Sequence, residues 1–259
     1  VTNIGYNLLL MTASNRISAF NRHLTDVPDK GSLLNAMSAY WFQKTRHIIN
    51  NHYLYSDQNY MIVHKCEPIM LEIVVRGYMT GSSETSIWTK YKAGDRTMYG
   101  LNFRDGYKKN EVLDSIIITP TTKGEVDEPI TKREIIQQNI LEESEIDYVY
   151  EKARLLFEFG QAEAAKRGLL LVDTKYEFGF LNGEIILMDE IHTCDSSRYW
   201  KADSYAQLME EGREPEKFDK DSIRDYVKKV YSDSDIKELD SFEIPDDVVN
   251  NVNSVYHQF

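Results

Sequence analysis

Cysteine and long apolar runs are both scarce in this sequence. The 259 residues include two cysteines, Cys66 and Cys194, which form neither a disulfide framework nor the spacing of a zinc site. No run approaches the roughly 18 apolar residues of a membrane span, and no basic segment followed by an apolar one marks a signal peptide. These absences predict a reduced, cytoplasmic protein without a membrane partner.

Basic residues are fewer than acidic ones. Thirty lysines and arginines against 42 acidic residues give a formal net charge of -12, which argues against nucleic acid or an anionic membrane as the main partner. A small anionic ligand is compatible with this charge if arginines gather locally. The length and the 42% hydrophobic content allow one large domain or two modest ones.

Residues 169–200 contain an apolar hairpin that carries charged side chains where a core strand normally has none. Two β-rich runs, 169–178 and 184–191, flank Asn182-Gly183, which is a strong hairpin signal. Because side chains alternate along a strand, the first run is predicted to have a charged face and an apolar face. The charged face consists of Asp173, Lys175 and Glu177, and the apolar face of Val172, Thr174, Tyr176 and Phe178.

The length of the turn decides which acids meet in this hairpin. A two-residue turn pairs Glu177 with Met188 and puts Asp189 on the opposite face, whereas a three-residue turn pairs Lys175 with Asp189. The second register gathers three carboxylates around one lysine, and two carboxylates about 4 Å apart repel by about 4 kcal/mol at an effective dielectric of about 20. A divalent cation would relieve this repulsion, and hard oxygen ligands favour Mg²⁺. The alternative is a solvated edge hairpin with ordinary charges.

Apolar periodicity predicts further strands and helices along the chain. The predicted strands cover residues 6–11, 60–64, 69–75, 102–107 and 113–119. Four helices are predicted. The first begins at Ser32, and the second runs from about Ile146 to Gly168. The other two lie in the tail, one with Ile223, Val227 and Val230 inward and one after Pro245. Glu72 interrupts an apolar strand, where a carboxylate must be paired or functional.

The segment 81–94 is predicted to be a helix that opens at Gly81-Ser82-Ser83 and ends at Gly94. Backbone amides at a helix start, a hydroxyl and the preceding Arg76 are the parts of a phosphate site. Serine also caps many helices that bind no ligand, so capping alone is the alternative.

Two polar segments are predicted to be loops. The first, residues 14–31, is rich in turn formers, so its polar side chains lie either at a surface or in a cleft. These side chains include Arg16, Ser18 and Lys30. The second, residues 121–129, contains Lys123 and is either a mobile lid or a solvated turn.

Seven segments, taken in chain order, resemble the SAICAR synthase family, also called phosphoribosylaminoimidazole-succinocarboxamide synthase. They are NRISAFN, DKGSLLNAMSAYWF, EIVVRGYMTGS, ITPTTKGEVDE, LLLVDTKYEFG, ILMDEIHTCDSSRYW and DKDSIRDYV. The resemblance spans roughly residues 8–230 and implies an α+β fold with an ATP cleft between two parts. Residues 1–66 would form a small mixed α/β subdomain that covers the nucleotide, and residues 67–259 a larger α+β catalytic domain that binds ATP and CAIR.

The family joins L-aspartate to the carboxylate of CAIR, an aminoimidazole ribonucleotide, while ATP is cleaved to ADP and phosphate. The resemblance therefore implies a purine-biosynthesis ligase with ATP as co-substrate, Mg²⁺ as cofactor and CAIR and L-aspartate as small-molecule partners. An acyl-phosphate intermediate is part of what it implies, because a carboxylate condenses with an amine only after its oxygen becomes a leaving group. A homo-oligomer is compatible with the sequence.

The matching motifs also imply roles for individual residues. Glu177 and Asp189 match acids that would hold Mg²⁺, and Lys175 matches a lysine that would stabilise the transferring phosphoryl group. Residues that match the ribonucleotide site are Arg76, Ser82, Asp173, Asp195, Ser197 and Arg198. Residues that match the ATP site are Lys65, Glu72, Lys123 and Lys175, and the candidates for the aspartate carboxylates are Arg16, Ser18 and Lys30. Those expected to act in the chemical step are Asp173, Lys175 and Asp189.

Departures from the family pattern leave alternatives open. Members usually begin with a glycine-rich hairpin whose Gly-Lys pair covers the ATP phosphates, and this hairpin is expected to be missing here, through an absent N-terminal piece or through weakened ATP binding. Asn15 and Asn21 stand where acids are usual, ETSI is inserted after Ser83, and Cys194 stands where proline is common. The main alternative to the ligase is a non-catalytic ribonucleotide-binding relative, followed by a generic Mg²⁺-dependent phosphotransferase.

Overall fold

Strands and helices alternate irregularly in the computed structural model, which describes residues 1–19, 22–83, 86–124, 127–218, 221–232, 235–236 and 242–258. The strands are β1 Thr2–Gly5, β2 Leu8–Thr12, β3 Arg16–Ala19, β4 Arg22–Asp26, β5 Tyr53–Asp57, β6 Tyr60–His64, β7 Glu67–Pro68, β8 Leu71–Tyr78, β9 Thr97–Met98, β10 Leu101–Asn102, β11 Val112–Ile118, β12 Thr121–Thr122, β13 Leu169–Leu181, β14 Glu184–Met188 and β15 Ser197–Lys201. The helices are α1 Lys30–Lys44, α2 Ile87–Lys92, α3 Lys132–Gln137, α4 Glu143–Ala165, α5 Ala202–Glu210, α6 Asp221–Val230 and α7 Asp246–Gln258. This mixture confirms the predicted α+β class. Across these ranges, no helix combines the length and apolar character needed to cross a membrane.

The first part of the chain forms an antiparallel four-stranded sheet in the order β1-β2-β6-β5. The turn between β1 and β2 is made by Tyr6 and Asn7, whose φ angles are 53° and 57°. The strand predicted over 6–11 therefore begins later, at Leu8, and a second strand that was not predicted pairs with it. The predicted boundary after residue 66 falls between β6 and β7 and stays a prediction.

The loop predicted over residues 14–31 is wrong. This segment contains the antiparallel pair β3–β4 and the start of α1, which begins at Lys30 rather than at a Ser32 cap. Side chains alternate along β3, so Ile17 is buried while Arg16 and Ser18 are exposed. Polar composition concealed this alternation, because only one face of the short strand is apolar.

The second sheet has seven strands and is built around β13. Its main order is β11-β8-β13-β14, and β13 also pairs with β7 and β15 while β12 pairs with β8. Helix α4 packs against β13, which explains why this strand is buried over most of its length. Tyr176 and Phe178 lie in the main hydrophobic core that these elements form.

The turn between β13 and β14 has two residues. Leu181 pairs with Glu184 and Glu177 with Met188, so the three-residue register considered for the metal site is wrong. Asn182 and Gly183 have φ angles of 53° and 83°, as both central residues of a type I′ turn require.

A β-bulge divides β13 near its start. Its pairing with β15 shifts between Leu171 and Asp173, which changes the alternation of side chains at Val172. Val172 consequently packs with Tyr78 and Trp200 in a separate cluster, not with Tyr176 as the regular strand predicted.

Three further predictions differ from the structure. The strand expected over 102–107 is limited to β10, and Val230 is exposed although it was predicted to face inward. The helix expected from Gly81 begins only at Ile87, with Ser86 as its N-cap and Gly94 just beyond its end. Isolated hydroxyl and glycine residues did not identify which serine caps the helix.

The core also contains a buried neutral histidine, His192, which should make stability depend on pH. Burial lowers its pKa from 6.5 to about 3, so between these values the unfolded chain binds a proton that the folded chain does not. The free energy of unfolding should therefore fall as pH falls through this window, by up to about 1.4 kcal/mol per pH unit. We expect the free energy of unfolding, measured with urea between pH 6.5 and 4.5, to depend less steeply on pH in His192→Gln than in the unsubstituted protein. The difference in slope should correspond to about one proton bound on unfolding. An equal slope in both proteins would contradict this assignment.

Candidate active site

A polar cavity of about 310 Å³ lies beside β13, where β8 and β15 flank it. The strand register pairs Asp173 with both Arg76 and Arg198, so these three residues lie side by side across adjacent strands. The predicted site residues that line the cavity are Arg76, Asp173, Lys175, Asp195, Ser197 and Arg198. The sheet therefore brings together residues that are far apart in sequence.

Two arginines share one carboxylate in this cavity. Arg198 Nη1 lies 2.6 Å and Arg76 Nη1 lies 3.2 Å from Asp173 Oδ2, and Arg76 Nε donates to Thr119 Oγ1 at 2.9 Å. Burial lowers the pKa of Arg76 from its usual value, an effect that the charge of Asp173 opposes. One carboxylate leaves a net positive charge on this trio, which suits a phosphate group.

A third arginine, Arg224, also lines the cavity, and it was not among the predicted site residues. It lies on α6, within the DKDSIRDYV segment that carries part of the resemblance. That segment was the available signal, but its arginine was not singled out. Ser82 is exposed and lies outside the cavity lining, although Lys228, one turn along α6 from Arg224, reaches Ser82 Oγ at 3.5 Å.

Asp195 is bound from two sides. Lys30, which is only 3% exposed, donates from Nζ to Asp195 Oδ2 at 2.7 Å, and the Tyr256 hydroxyl donates to Asp195 Oδ1. Arg16 and Ser18, by contrast, have exposed side chains on β3. Lys30 thus contacts an acid of the cavity, while the grouping of these three residues as an aspartate site stays a prediction.

A row of alternating charges continues along β13 from the cavity. Lys175 Nζ donates to Glu72 Oε1 at 2.5 Å, and Lys123 Nζ donates to Glu177. Burial acts to lower the pKa of Lys175, but the bond to Glu72 and the charges of nearby acids raise it above its usual value. The prediction that Glu72 must be paired or functional is confirmed by this ion pair.

Asp189 reaches Glu177 even though the register would put it on the other face. Its φ of 67° lies in the left-handed region, directly after β14 ends at Met188. This bend brings the carboxyl group near Glu177, whose pKa the charge of Asp189 helps to raise. Regular strand alternation was the wrong assumption for a residue just beyond the strand.

The Lys123 and Lys175 ammonium groups lie near the Glu177–Asp189 pair and lower the pKa of both carboxyl groups, but burial outweighs them. Burial and the charge of Asp189 raise the pKa of Glu177, while burial and the charge of Glu190 raise that of Asp189. Among the described residues, no group of three or more His, Cys, Asp or Glu side chains is placed to hold a metal by itself. Two carboxylates nevertheless fit Mg²⁺, which usually binds one or two protein carboxylates and completes its shell with waters and phosphates.

A second cavity, of about 180 Å³, opens between the first sheet, α1 and the Asp189-Glu190 dipeptide. Met11, Asn35 and Met61 contribute to its walls. Lys65 is exposed in the connection between β6 and β7 and does not line either cavity. Asp189 and Glu190 therefore line the less polar cavity, whereas Lys175, two residues before Glu177 on β13, lines the cationic one.

Comparison with known proteins gives a consistent result. The SAICAR synthetase family profile matches residues 3–238. A protein of Agrobacterium fabrum named putative phosphoribosylaminoimidazole-succinocarboxamide synthase 2 is 45% identical over 255 residues, which are 95% of this chain and 79% of the relative.

Solved structures share the fold. SAICAR synthase from Saccharomyces cerevisiae, in complex with SAICAR, aligns with a TM-score of 0.82 and 29% identity over 98% of this chain and 88% of its own. A SAICAR synthetase in complex with ADP aligns with a TM-score of 0.70 and 25% identity over 92% of this chain and 91% of its own.

Proposed function

The chain belongs to the SAICAR synthetase family and is a ligase of purine biosynthesis, and we propose that it joins L-aspartate to the carboxylate of CAIR through an acyl phosphate. The observation that carries this proposal is the order of charges along β13. Arg76 and Arg198 flank Asp173 at one point of the strand, and the carboxyl groups of Glu177 and Asp189 lie together further along it. Four residues of strand separate the two by about 13 Å, a distance comparable to the length of a ribonucleotide.

In the first step a CAIR carboxylate oxygen attacks the γ-phosphorus of ATP, and the bond to the ADP oxygen breaks. Arg76 and Arg198 hold the CAIR phosphate at one end, so that the carboxylate is presented near Lys175 at the other. The Lys175 ammonium neutralises charge on the transferring phosphoryl oxygens, where a positioned cation contributes most. Its raised pKa keeps it protonated in this role.

In the second step the aspartate amine attacks the acyl carbon, phosphate leaves with the electron pair of the C–O bond, and the amine loses a proton. Glu177 and Asp189 would hold Mg²⁺, which when bound supplies positive charge to the phosphate oxygens. Lys30, Arg16 and Ser18 are the proposed carboxylate contacts of aspartate. Lys65, Glu72 and Lys123 are the proposed contacts on the ATP side, with Asp195 and Ser197 toward the ribonucleotide.

The direct test is conversion of CAIR to SAICAR by the purified protein with ATP, Mg²⁺ and L-aspartate. We expect product only when all four components are present, with ADP and phosphate released in equal amounts. A parallel calorimetric titration with CAIR and with ADP separates the outcomes. Binding of CAIR without ADP binding or turnover would instead identify a non-catalytic relative.

Lys123→Met should tighten Mn²⁺ binding while slowing turnover. The Lys123 ammonium bonds to the carboxylate that the cation would contact, so a metal ion must displace it. Because this lysine is partly exposed, the competition is worth about 1 kcal/mol, or three- to tenfold in Kd. Lys132→Met is the matched control, since Lys132 pairs at 2.5 Å with the exposed Asp147. Weaker Mn²⁺ binding by Lys123→Met would contradict this placement.

A further inference from the structure

The segment that follows β14 has an unusual backbone. Asp189 and His192 both have left-handed φ angles, 67° and 54°, although neither is glycine. Such residues cost about 1 to 3 kcal/mol each and persist only where their surroundings hold them in place. What holds residues 189–192 therefore determines where the Asp189 carboxylate points.

His52 contacts this segment directly. Its side chain is 2% exposed, packs edge-on against Phe42 with ring centroids 5.1 Å apart, and hydrogen-bonds to the backbone of Asp189. In the part of the chain that the structure describes, Nε2 of His52 has no hydrogen-bond partner, so Nδ1 makes the bond to Asp189. A ring nitrogen that donates to a backbone carbonyl carries a proton, so Nδ1 is the protonated nitrogen in this contact.

The backbone of His52 fixes this contact in place. Its N–H donates to the Leu187 carbonyl at 3.1 Å, and its carbonyl accepts from the N–H of His64 at 2.8 Å. His52 is thereby tied both to the end of β14 and to β6 of the first sheet. These bonds fix the His52 backbone beside the end of β14, and Phe42 packs against its ring.

The far end of the segment is held by a second buried histidine. His192 Nε2 lies 2.5 Å from the Tyr176 hydroxyl, and the His192 carbonyl accepts from the Tyr199 hydroxyl at 2.8 Å. The ring packs so closely on α4 that a Cβ at Gly160 would lie 2.5 Å from its Cε1 atom. With this end fixed, the remaining freedom of the segment lies at Asp189.

We propose that His52 is a positioning residue, which holds the Asp189 backbone in its left-handed conformation so that the carboxylate faces Glu177. This inference rests on the proposed function, in which that pair holds the divalent cation. The His52 ring itself touches neither substrate nor metal. It acts through the carbonyl side of Asp189, as outer partners of metal ligands do, and losing such a partner typically costs 10- to 100-fold in metal affinity.

The test compares His52→Asn with His52→Gln, whose side-chain amides place the N–H donor at different positions. An asparagine side-chain amide reaches the position of histidine Nδ1, whereas a glutamine amide extends to that of Nε2. We expect His52→Asn to bind Mn²⁺ within about threefold of the unsubstituted protein, and His52→Gln to bind it at least about tenfold more weakly. Mn²⁺ binding is measured from the free-ion electron paramagnetic resonance signal.

Tyr91→Phe is the control for lost buried hydrogen bonds. The Tyr91 hydroxyl donates to the Arg104 carbonyl and accepts from the Tyr107 N–H in a different cluster. We expect it to lower Tm without changing the Mn²⁺ Kd. If His52→Gln lowers Tm by a similar amount and leaves the Kd unchanged, His52 is structural and the proposal is overturned.

The same titration separates this inference from the proposed function. Glu177→Gln should abolish Mn²⁺ binding at the site, and undiminished binding would overturn the metal site itself. If binding depends on Glu177 but is equal in His52→Asn and His52→Gln, only the positioning role fails. If His52→Gln does not fold, His52→Asn still decides the question, because a tenfold loss in that variant contradicts the proposed contact.

Discussion

Glu177→Gln and Asp189→Asn are each expected to reduce kcat by about 10³-fold or more. Each substitution removes one of two carboxylates that would hold Mg²⁺ against the ATP phosphates, and a bound metal contributes several kcal/mol of charge stabilisation in such reactions. A loss of about 4 kcal/mol corresponds to a factor of about 10³ in rate. Steady-state formation of SAICAR at saturating substrates measures this effect.

The same two variants should fold at least as stably as the unsubstituted protein. The pKa of both carboxyl groups is raised, chiefly by burial, so their charged forms are disfavoured in the folded state near neutral pH. Replacing one by a neutral amide removes that cost, while the partly exposed Lys123 can return to water. A fall in Tm that accompanies the loss of activity in both variants would show that these acids are structural.

Glu184→Gln provides the matched control on the same hairpin. Glu184 is exposed on β14 and accepts from Asn50 Nδ2 at 2.9 Å. It differs from Glu177 in facing solvent, so its loss should leave both kcat and Mn²⁺ affinity unchanged. A large effect at Glu184 would mean that hairpin distortion, and not metal binding, explains the result at Glu177.

The central hairpin is the part of the fold that the sequence predicts best. Asn182-Gly183 specifies a two-residue turn through its positive φ angles, and alternation then correctly puts Asp173, Lys175 and Glu177 together. Local signals suffice here because turn chemistry and side-chain pattern agree. The prediction of the α4 helix succeeds for the same reason, since its apolar spacing continues over many turns.

The placement of Asp189 could not be predicted in this way. Sequence patterns assume regular strands, and Asp189 departs from regularity by a single left-handed backbone angle that side-chain alternation does not indicate. The β-bulge at Val172 is likewise a departure from regular strand geometry that the side-chain pattern does not indicate. Arg224 was missed for a different reason, because its helix meets the cavity only through packing of distant parts of the chain.

Arg76→Ala should raise the KM for CAIR by about 10- to 100-fold and change kcat by less than about threefold. Hydrogen bonds between charged groups contribute about 1.5 to 3 kcal/mol, and the CAIR phosphate is remote from the reacting carboxylate. Its contact with Arg76 would therefore be equally strong in the ground and transition states, which affects KM alone. Arg198 remains beside Asp173 in this variant, so Asp173 keeps a positive partner.

A substrate without the phosphate makes this prediction specific to the contact. With the ribonucleoside form of CAIR, the unsubstituted protein and Arg76→Ala should show the same kcat/KM, because the group that Arg76 binds is gone. Arg104→Ala controls for the loss of an arginine, since Arg104 pairs with Glu111 and Asp114 on the surface. This substitution should leave kcat/KM unchanged with both substrates. If Arg76→Ala lowers kcat with KM unchanged, or remains impaired with the ribonucleoside, Arg76 instead acts by holding Asp173 and the neighbouring strand in place.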